Sequence, residues 1–414
     1  NSGMRTSIVW ARLLGVEKTV IEDVQFDEAA GVIVVSVHPR KKERNRCGIC
    51  HRRCSQYDRG EGRRRWRALD LGVIRAYMEA DSPRVCCPEH GVVVAAVPWA
   101  RHKARFSRYF DDTVAWLATN CSKSAVQELM RISWRTAGRI IERVADEARE
   151  RIDLLAGLRR IGIDEISYRK GHRYLTVVVD HDRRRLVWAA PGRDKATVHS
   201  FFDALGPECC TAIQEVSADG GTWISNVVTE RCPQAKLCMD PFHVVQWATN
   251  ALDEVRRTVW NEARHQGQTA QAKDLKGARF ALWKNPENLT ERQQAKLATV
   301  QVTNKPLYRA YLLKEQLRQV FQLKGERGMQ LLKEWLAWAS RSRLAPFVKL
   351  ARTIREYLPA IHDALRLGLS NALVESTNTK IRLIARRAFG FHSPQALIAM
   401  AMLTLSGLCP HLPG

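Results

Sequence analysis

Near residue 158 the hydrophobic period of this chain changes, and that change constrains the fold more than any other feature. Residues 106–156 carry apolar positions at helical spacing. From Leu158 the period becomes two, and Leu158–Ile166, Tyr174–Asp180 and Arg185–Ala190 read as three successive strands. A helix (Ala196–Leu205), a strand (Ala212–Ser217), a helix (Trp223–Glu230), a strand (Lys236–Met239) and a long helix from Phe242 follow. Residues 250–365 are helical in pattern throughout, with loop signals near Asn285-Pro286 and Lys305-Pro306.

Three consecutive strands followed by strand–helix alternation is the order of a ribonuclease H-like mixed sheet, and it is preferred here over a doubly wound one. The fold class expected is an α/β catalytic domain of that kind, interrupted by an all-helical insertion. The expected division is an N-terminal β-hairpin segment (4–40), a zinc-binding domain (41–104), a helix-turn-helix (105–157), the first catalytic part (158–250), the insertion (251–365) and the second catalytic part (366–414).

The charge narrows the partner. Lys and Arg number 66 against 43 Asp and Glu, a net charge of +23, which points to a polyanion and first to nucleic acid. No apolar run is long enough to span a membrane, and the start lacks the apolar segment of a signal peptide. A cytoplasmic, bacterial, nucleoid-associated protein is expected. Eleven cysteines in such a chain suggest metal ligands and buried thiols rather than disulfides.

Cys47-x2-Cys50 and Cys87-x2-His90 have the spacing of two knuckles that can converge four ligands on a tetrahedral, structural zinc ion. His51, Cys54 and Cys86 are alternative ligands. The basic run Arg63, Arg64 and Arg65 between the pairs would supply phosphate contacts. Downstream, helices over Tyr109–Thr119, Ser124–Met130 and from Trp134 form a helix-turn-helix pattern, with Ser124 and Ser133 as expected N-caps. Trp134, Arg135, Thr136 and Arg139 would open the recognition helix and face a DNA groove.

Three acids stand in marked contexts: Asp164 in the first strand of the sheet, Asp219 after the fourth, and Glu375 on a helical pattern past the insertion. Carboxylates brought together repel, and a pair of Mg²⁺ or Mn²⁺ ions relieves that repulsion while serving an in-line displacement at phosphorus. Asp240 and His243 form a further Asp-x2-His after the fifth strand, read as support for the site or as a DNA contact. Lys380, Arg382, Arg386 and Arg387 follow Glu375 at helical spacing and are expected to hold DNA near the scissile phosphate.

The set Gly162-Ile-Asp-Glu165, Gly171-His-Arg-Tyr-Leu-Thr176, Ser217-Ala-Asp-Gly220, Asp240-Pro-Phe-His-Val-Val245, Ser370-Asn-Ala-Leu-Val-Glu-Ser-Thr-Asn378 and Arg386-Arg-Ala-Phe-Gly-Phe391 resembles the ISL-three family of bacterial insertion-sequence transposases. The resemblance implies an Asp-Asp-Glu enzyme in which Asp164, Asp219 and Glu375 hold the catalytic metals. Asp240 is a competing second acid; Asp219 is preferred because it ends the strand adjacent to the first, and Asp240 and His243 then match an Asp-x2-His signature of insertion-bearing relatives. It implies binding to the terminal inverted repeats of double-stranded DNA, metal-dependent strand cleavage, and strand transfer into target DNA by the liberated 3′-hydroxyl. Two ends held together imply a homodimer or higher oligomer on DNA. The competing readings are an inactive zinc-containing DNA-binding regulator and a ribonuclease H-like nuclease without strand transfer.

Overall fold

The computed structural model describes residues 6–169, 171–218, 222–323, 325–388, 390–391 and 393–412. The chain divides into two compact units, residues 1–152 with 387–414, and residues 153–386.

The first unit opens with helix α1 (Thr6–Leu13) and the antiparallel hairpin β1 (Thr19–Asp27) and β2 (Val32–Pro39). Five strands follow: β3 (Ser55–Asp58), β4 (Arg63–Arg67), β5 (Arg75–Asp81), β6 (Arg84–Cys87) and β7 (Gly91–Val94). They split between two sheets. β5 pairs parallel with β2 and antiparallel with β4, giving the order β1-β2-β5-β4, while β3-β6-β7 form a separate antiparallel sheet. The hairpin and part of the basic segment therefore share one core, around Val35, Val37, Trp66, Ala76 and Met78.

Helices α2 (Arg108–Asn120), α3 (Lys123–Met130) and α4 (Trp134–Arg151) complete this part of the unit. Each begins at a serine whose hydroxyl accepts from the N3 amide: Ser107 from Phe110, Ser122 from Ala125 and Ser133 from Thr136. The cap of α3 is thus Ser122 and not Ser124, because the helix starts at Lys123. The turn into α4 is tight: Arg131 adopts a left-handed conformation (φ 51°) that ends α3. Arg101 clamps α2 to α4, donating to Asp112 at 2.7 Å and pairing with Glu147.

The second unit is built on one five-stranded sheet. Its strands are β8 (Arg160–Arg169), β9 (Arg173–Asp180), β10 (Arg185–Pro191), β11 (Glu215–Ala218) and β12 (Lys236–Met239), in the order β10-β9-β8-β11-β12. The first three run antiparallel, and β11 and β12 then run parallel to β8. Helices α5 (Lys195–Leu205), α6 (Pro207–Ala212) and α7 (Thr222–Arg231) make the connections. Helix α6 occupies residues where the pattern suggests the start of a strand. Gly206 at φ 82° breaks α5, Pro207 starts α6, and β11 begins only at Glu215.

Helix α8 (Pro241–His265) leaves the sheet and leads into α9 (Thr269–Gly277), α10 (Arg279–Trp283), α11 (Glu291–Thr303), α12 (Lys305–Leu323), α13 (Gly325–Arg341), α14 (Ala345–Glu356) and α15 (Leu358–Leu367). These helices have their own core, in which Trp335 is fully buried and its indole N–H donates to Leu313 O at 2.7 Å. The chain returns as α16 (Ala372–Arg387) and ends with α17 (Pro394–Leu405), whose apolar residues 397–403 are buried in the first unit against α2 and α4.

Candidate functional site

The acidic site of the second unit is organised by the docking of α16 on β8. Gly162 permits the approach. A Cβ there would stand 2.4 Å from Val374 Cγ2, 2.8 Å from His181 Nε2 and 3.0 Å from Ser217 Oγ. The glycine of Gly-Ile-Asp-Glu thus lets the helix carrying Glu375 lie against the strand carrying Asp164.

Asp164 is half-buried on β8; its Oδ1 accepts from the Glu165 amide at 2.7 Å, and its Oδ2 accepts from Asn378 Nδ2 at 2.8 Å. Asn378 lies three residues beyond Glu375, on the same face of α16. Burial raises the Glu375 carboxyl above its usual range, the Asp240 charge adds to the rise, and His243 opposes it. Glu375 and Asp240 are therefore close enough to repel, the condition that a bound cation relieves.

Asp240 precedes α8 and is buried. Its Oδ2 meets His243 Nδ1 at 3.0 Å, and its Oδ1 accepts from the Asn371 amide at 3.4 Å. Both carboxylate oxygens are engaged by the protein. A buried chain continues from there: Ser217 Oγ donates to Asn371 Oδ1 at 2.7 Å, and His181 Nε2 lies 2.8 Å from Ser217 Oγ. Since the hydroxyl proton is committed to Asn371, His181 donates from Nε2. Desolvation, aided by the nearby Arg160 charge, lowers its pKa to about 4, so at neutral pH the donor is the uncharged Nε2–H tautomer.

Asp219 lies outside the described residues. Strand β11 ends at Ala218, whose partner on β8 is Ile163, the residue before Asp164. The other acids nearby have structural partners: Glu165 pairs with Arg193, and Asp180 accepts from the amides of Asp182 and Arg183.

The second candidate site is in the first unit. The ligand atoms of Cys47, Cys50, Cys87 and His90 all lie within 4.8 Å of one another, with Cys50–Cys87 at 3.7 Å, Cys47–His90 at 3.8 Å and Cys87–His90 at 3.5 Å. A tetrahedral ion held at ~2.3 Å requires ligand separations of about 3.8 Å, so the cluster has the size of a four-coordinate metal site. The His90 hydrogen bond draws the Cys87 thiol down to about 6, which favours the ligating thiolate at neutral pH. The knuckle geometry is local. The Ile49 amide donates to Cys47 Sγ at 3.4 Å, and a Cβ on Gly48 would stand 2.5 Å from Val94 O. His51, Cys54 and Cys86 are not in the cluster formed among the described residues. Cys86 projects from the opposite face of β6 to Cys87 and is exposed.

The basic candidates differ in how they are engaged. On β4, Arg63 and Arg65 share Glu79 at 3.0 and 2.8 Å, whereas Arg64 donates to Ala104 O and lies over Trp66. Arg135 and Arg139 are exposed at the start of α4; Trp134 is half-buried under Lys123, and Thr136 Oγ1 lies 3.0 Å from Ser133 Oγ. Lys380, Arg382 and Arg386 are exposed, and Arg387 donates to the Ala118 and Thr119 carbonyls at the end of α2.

This combination of a knuckle cluster, a tri-helical segment and an acidic site on a mixed sheet has clear relatives. Residues 161–401 match the family described as "Transposase" in its ISL3 branch. Residues 95–145 match the "Helix-turn-helix domain of transposase family ISL3", and residues 43–90 match the "zinc-finger of transposase IS204/IS1001/IS1096/IS1165". The chain belongs to the ISL3 family of transposases, enzymes of the Asp-Asp-Glu type. It is 57% identical to the transposase for insertion sequence element IS1557 of Mycobacterium tuberculosis (strains CDC 1551 / Oshkosh and H37Rv), over 99% of this chain and 98% of that protein. It is 28% identical to the transposase for insertion sequence element IS1001 of Bordetella parapertussis, over 91% of this chain and 92% of that one.

Of the acids expected from the sequence, Asp240 bonds to His243 and its charge raises the Glu375 carboxyl, while Asn378 of α16 bonds to Asp164; among the described residues these acids do not close into a cluster of metal-ligand size. Spacing alone assigns no role to Asn371, Asn378, His181 or Ser217, although Ser217, Asn371 and Asn378 lie inside the motifs Ser217-Ala-Asp-Gly220 and Ser370-Asn-Ala-Leu-Val-Glu-Ser-Thr-Asn378.

Proposed function

We propose that this transposase binds the terminal inverted repeats of its insertion sequence as double-stranded DNA, cleaves there in a metal-dependent reaction, and joins the liberated 3′-end to target DNA. The carrying observation is the docking of α16, which sets the Glu375–Asn378 face against Asp164 and beside Asp240. Asp164, Asp219 and Glu375 are the proposed catalytic acids. Asp219 is bonded to Ala218, and the register Ala218↔Ile163 supports its pairing with Asp164. Asp240 is the lesser choice because it is buried, 3% exposed, whereas Asp164 is only half-buried on β8; with His243 it supports the site. The order β10-β9-β8-β11-β12, antiparallel then parallel, supports the ribonuclease H-like reading.

The donor set is hard oxygen with mutual repulsion at Glu375, which fits Mg²⁺ or Mn²⁺. Two such ions, when bound, supply charge neutralisation and orientation of the attacking and leaving oxygens. The protein's own part is to fix the acids: Asn371 and His243 hold Asp240. No side-chain nucleophile is required. Water attacks phosphorus and breaks the P–O3′ bond; the freed 3′-hydroxyl then attacks a target phosphodiester, forming a new P–O3′ bond while the target strand's own 3′-oxygen leaves as a hydroxyl.

Zinc is the proposed occupant of Cys47, Cys50, Cys87 and His90, where it serves structure because four protein ligands close the site. The six-part division is proposed as a division of roles, with the zinc-binding and helix-turn-helix segments reading the ends, although the hairpin shares its sheet with the zinc-binding segment and residues 387–414 lie in the first compact unit. Exposed Arg135 and Arg139 begin the helix proposed to enter the groove, beside Trp134 and Thr136. Arg63, Arg64, Arg65, Lys380, Arg382, Arg386 and Arg387 are proposed phosphate contacts. A dimer or larger assembly holds two ends, and the protein works in the bacterial cytoplasm. Among the described residues, no helix is long and apolar enough to cross a membrane.

The test is incubation of the full chain with DNA carrying the native element ends and Mg²⁺ or Mn²⁺. The reading expects cuts at the element termini and joined target products, both abolished by chelation. Binding without either product would favour a DNA-binding regulator. Cuts without joined products would favour a nuclease.

A further inference from the structure

Among the buried polar groups that the reaction scheme does not use, the carboxamide of Asn378 stands out. Its side chain is 3% exposed. Nδ2 donates to Asp164 Oδ2 at 2.8 Å, while Oδ1 is buried and has no hydrogen-bond partner. A buried amide oxygen left unpaired costs roughly 1–3 kcal/mol, so an arrangement that retains one calls for an explanation.

The geometry supplies a reason. Helix α16 presents Glu375 and Asn378 three residues apart on one face, and Gly162 brings that face onto β8. Asp164 Oδ1 is tied to the Glu165 amide and Oδ2 to Asn378, so both carboxylate oxygens have fixed directions. Removing the Asn378 donor takes away one of the hydrogen bonds that direct the Asp164 carboxylate. The unpaired Oδ1 is enclosed by protein, so the amide is held for what Nδ2 does.

We propose that Asn378 is a positioning residue of the divalent-metal site: its Nδ2 sets the direction of the Asp164 carboxylate. This rests on the metal-dependent reading above. Residues that orient a metal ligand typically change metal affinity ten- to a hundredfold when removed.

The experiment measures Mn²⁺ binding to the full-length, DNA-free protein by electron paramagnetic resonance. Wild type is compared with Asn378→Leu, which keeps the branched outline without donor or acceptor, Asn378→Ser, which keeps a shorter donor, and Asp164→Asn. Thermal unfolding and binding of end-bearing DNA are followed in parallel. The expected result is about tenfold weaker Mn²⁺ binding for Asn378→Leu and a smaller loss for Asn378→Ser. The metal concentration for half-maximal cleavage rises accordingly, while the cleavage rate at saturating Mn²⁺ recovers most of the wild-type value. Asn378→Leu with wild-type Mn²⁺ affinity, alongside weakened Asp164→Asn, overturns the inference and leaves the metal site standing. Unchanged affinity in Asp164→Asn overturns the metal assignment itself. Should Asn378→Leu fail to fold, Asn378→Ser decides alone: affinity equal to wild type counts against the role, and weakened affinity in a normally melting protein supports it.

Discussion

The two candidate metal sites are assembled in opposite ways. The thiol–imidazole cluster takes its ligands as two i, i+3 pairs, each on one turn, and only one long-range closure brings the turns together. The acidic site takes Asp164 from β8, Asp240 from the start of α8 and Glu375 from α16, across the helical insertion. The first has four converged ligands and two buried thiols, as suits a closed structural ion. In the second, Glu375 is held above its usual carboxylate range by burial and by Asp240, as suits a site that must admit a substrate and release it. A local site is insured by spacing; a distributed site depends on how precisely helices dock on strands.

That contrast can be broken most strongly at the acids. Glu375→Gln keeps shape and removes the charge. Because a bound divalent ion contributes several kcal/mol to phosphoryl chemistry, cleavage should fall by roughly a thousandfold or more, with end binding retained. The check is single-turnover cleavage at matched DNA occupancy.

Next in size is removal of the structural ion. Cys50→Ser, or chelation with metal loss verified by elemental analysis, should unfold the ribbon at 43–90 at a cost on the order of several kcal/mol. End binding should weaken sharply, while the second unit keeps its own melting transition. Unchanged binding after verified loss would remove this cluster from recognition.

The buried chain through His181 gives a pH-dependent effect. Its folded pKa lies near 4 against about 6.5 unfolded, because burial disfavours the imidazolium. A depressed pKa contributes stability that is present above about 6.5 and lost as pH falls toward 4. Its size is roughly 2–3 kcal/mol. Denaturant melts of His181→Gln should show a shallower acid loss over that window than wild type; parallel profiles would contradict the assignment.

The smallest effect sharpens the docking itself. Gly162→Ala places a methyl against Val374 and should destabilise the second unit by about 1–3 kcal/mol. Val374→Ala in the same chain should restore part of it, and a double-mutant cycle showing no coupling would contradict the packing.

These differences also explain what the sequence allowed. Knuckle spacing identified Cys47, Cys50, Cys87 and His90 because local turns carry their own geometry. The strand order was readable from the period change near residue 158, since alternation survives without knowledge of partners. The parallel pairing of β2 with β5 was not readable, because it joins segments separated by the first knuckle and β4. Nor was the burial of α17 against α2 and α4, since an apolar helix does not name its partner. Asn378 was invisible as a functional group for a related reason. A polar residue on a helix acquires meaning only when a glycine on another element lets it reach a carboxylate.

We propose that Asp219 completes the acidic site with Asp164 and Glu375, while Asp240 holds the surrounding structure. The most direct measurement compares Asp219→Asn with Asp240→Asn for Mn²⁺-dependent cleavage of end-bearing DNA, at equal bound fraction and saturating metal. Cleavage abolished in Asp219→Asn and only reduced in Asp240→Asn is the predicted result. Cleavage surviving in Asp219→Asn and abolished in a normally folded Asp240→Asn would contradict it and transfer the second acid to Asp240.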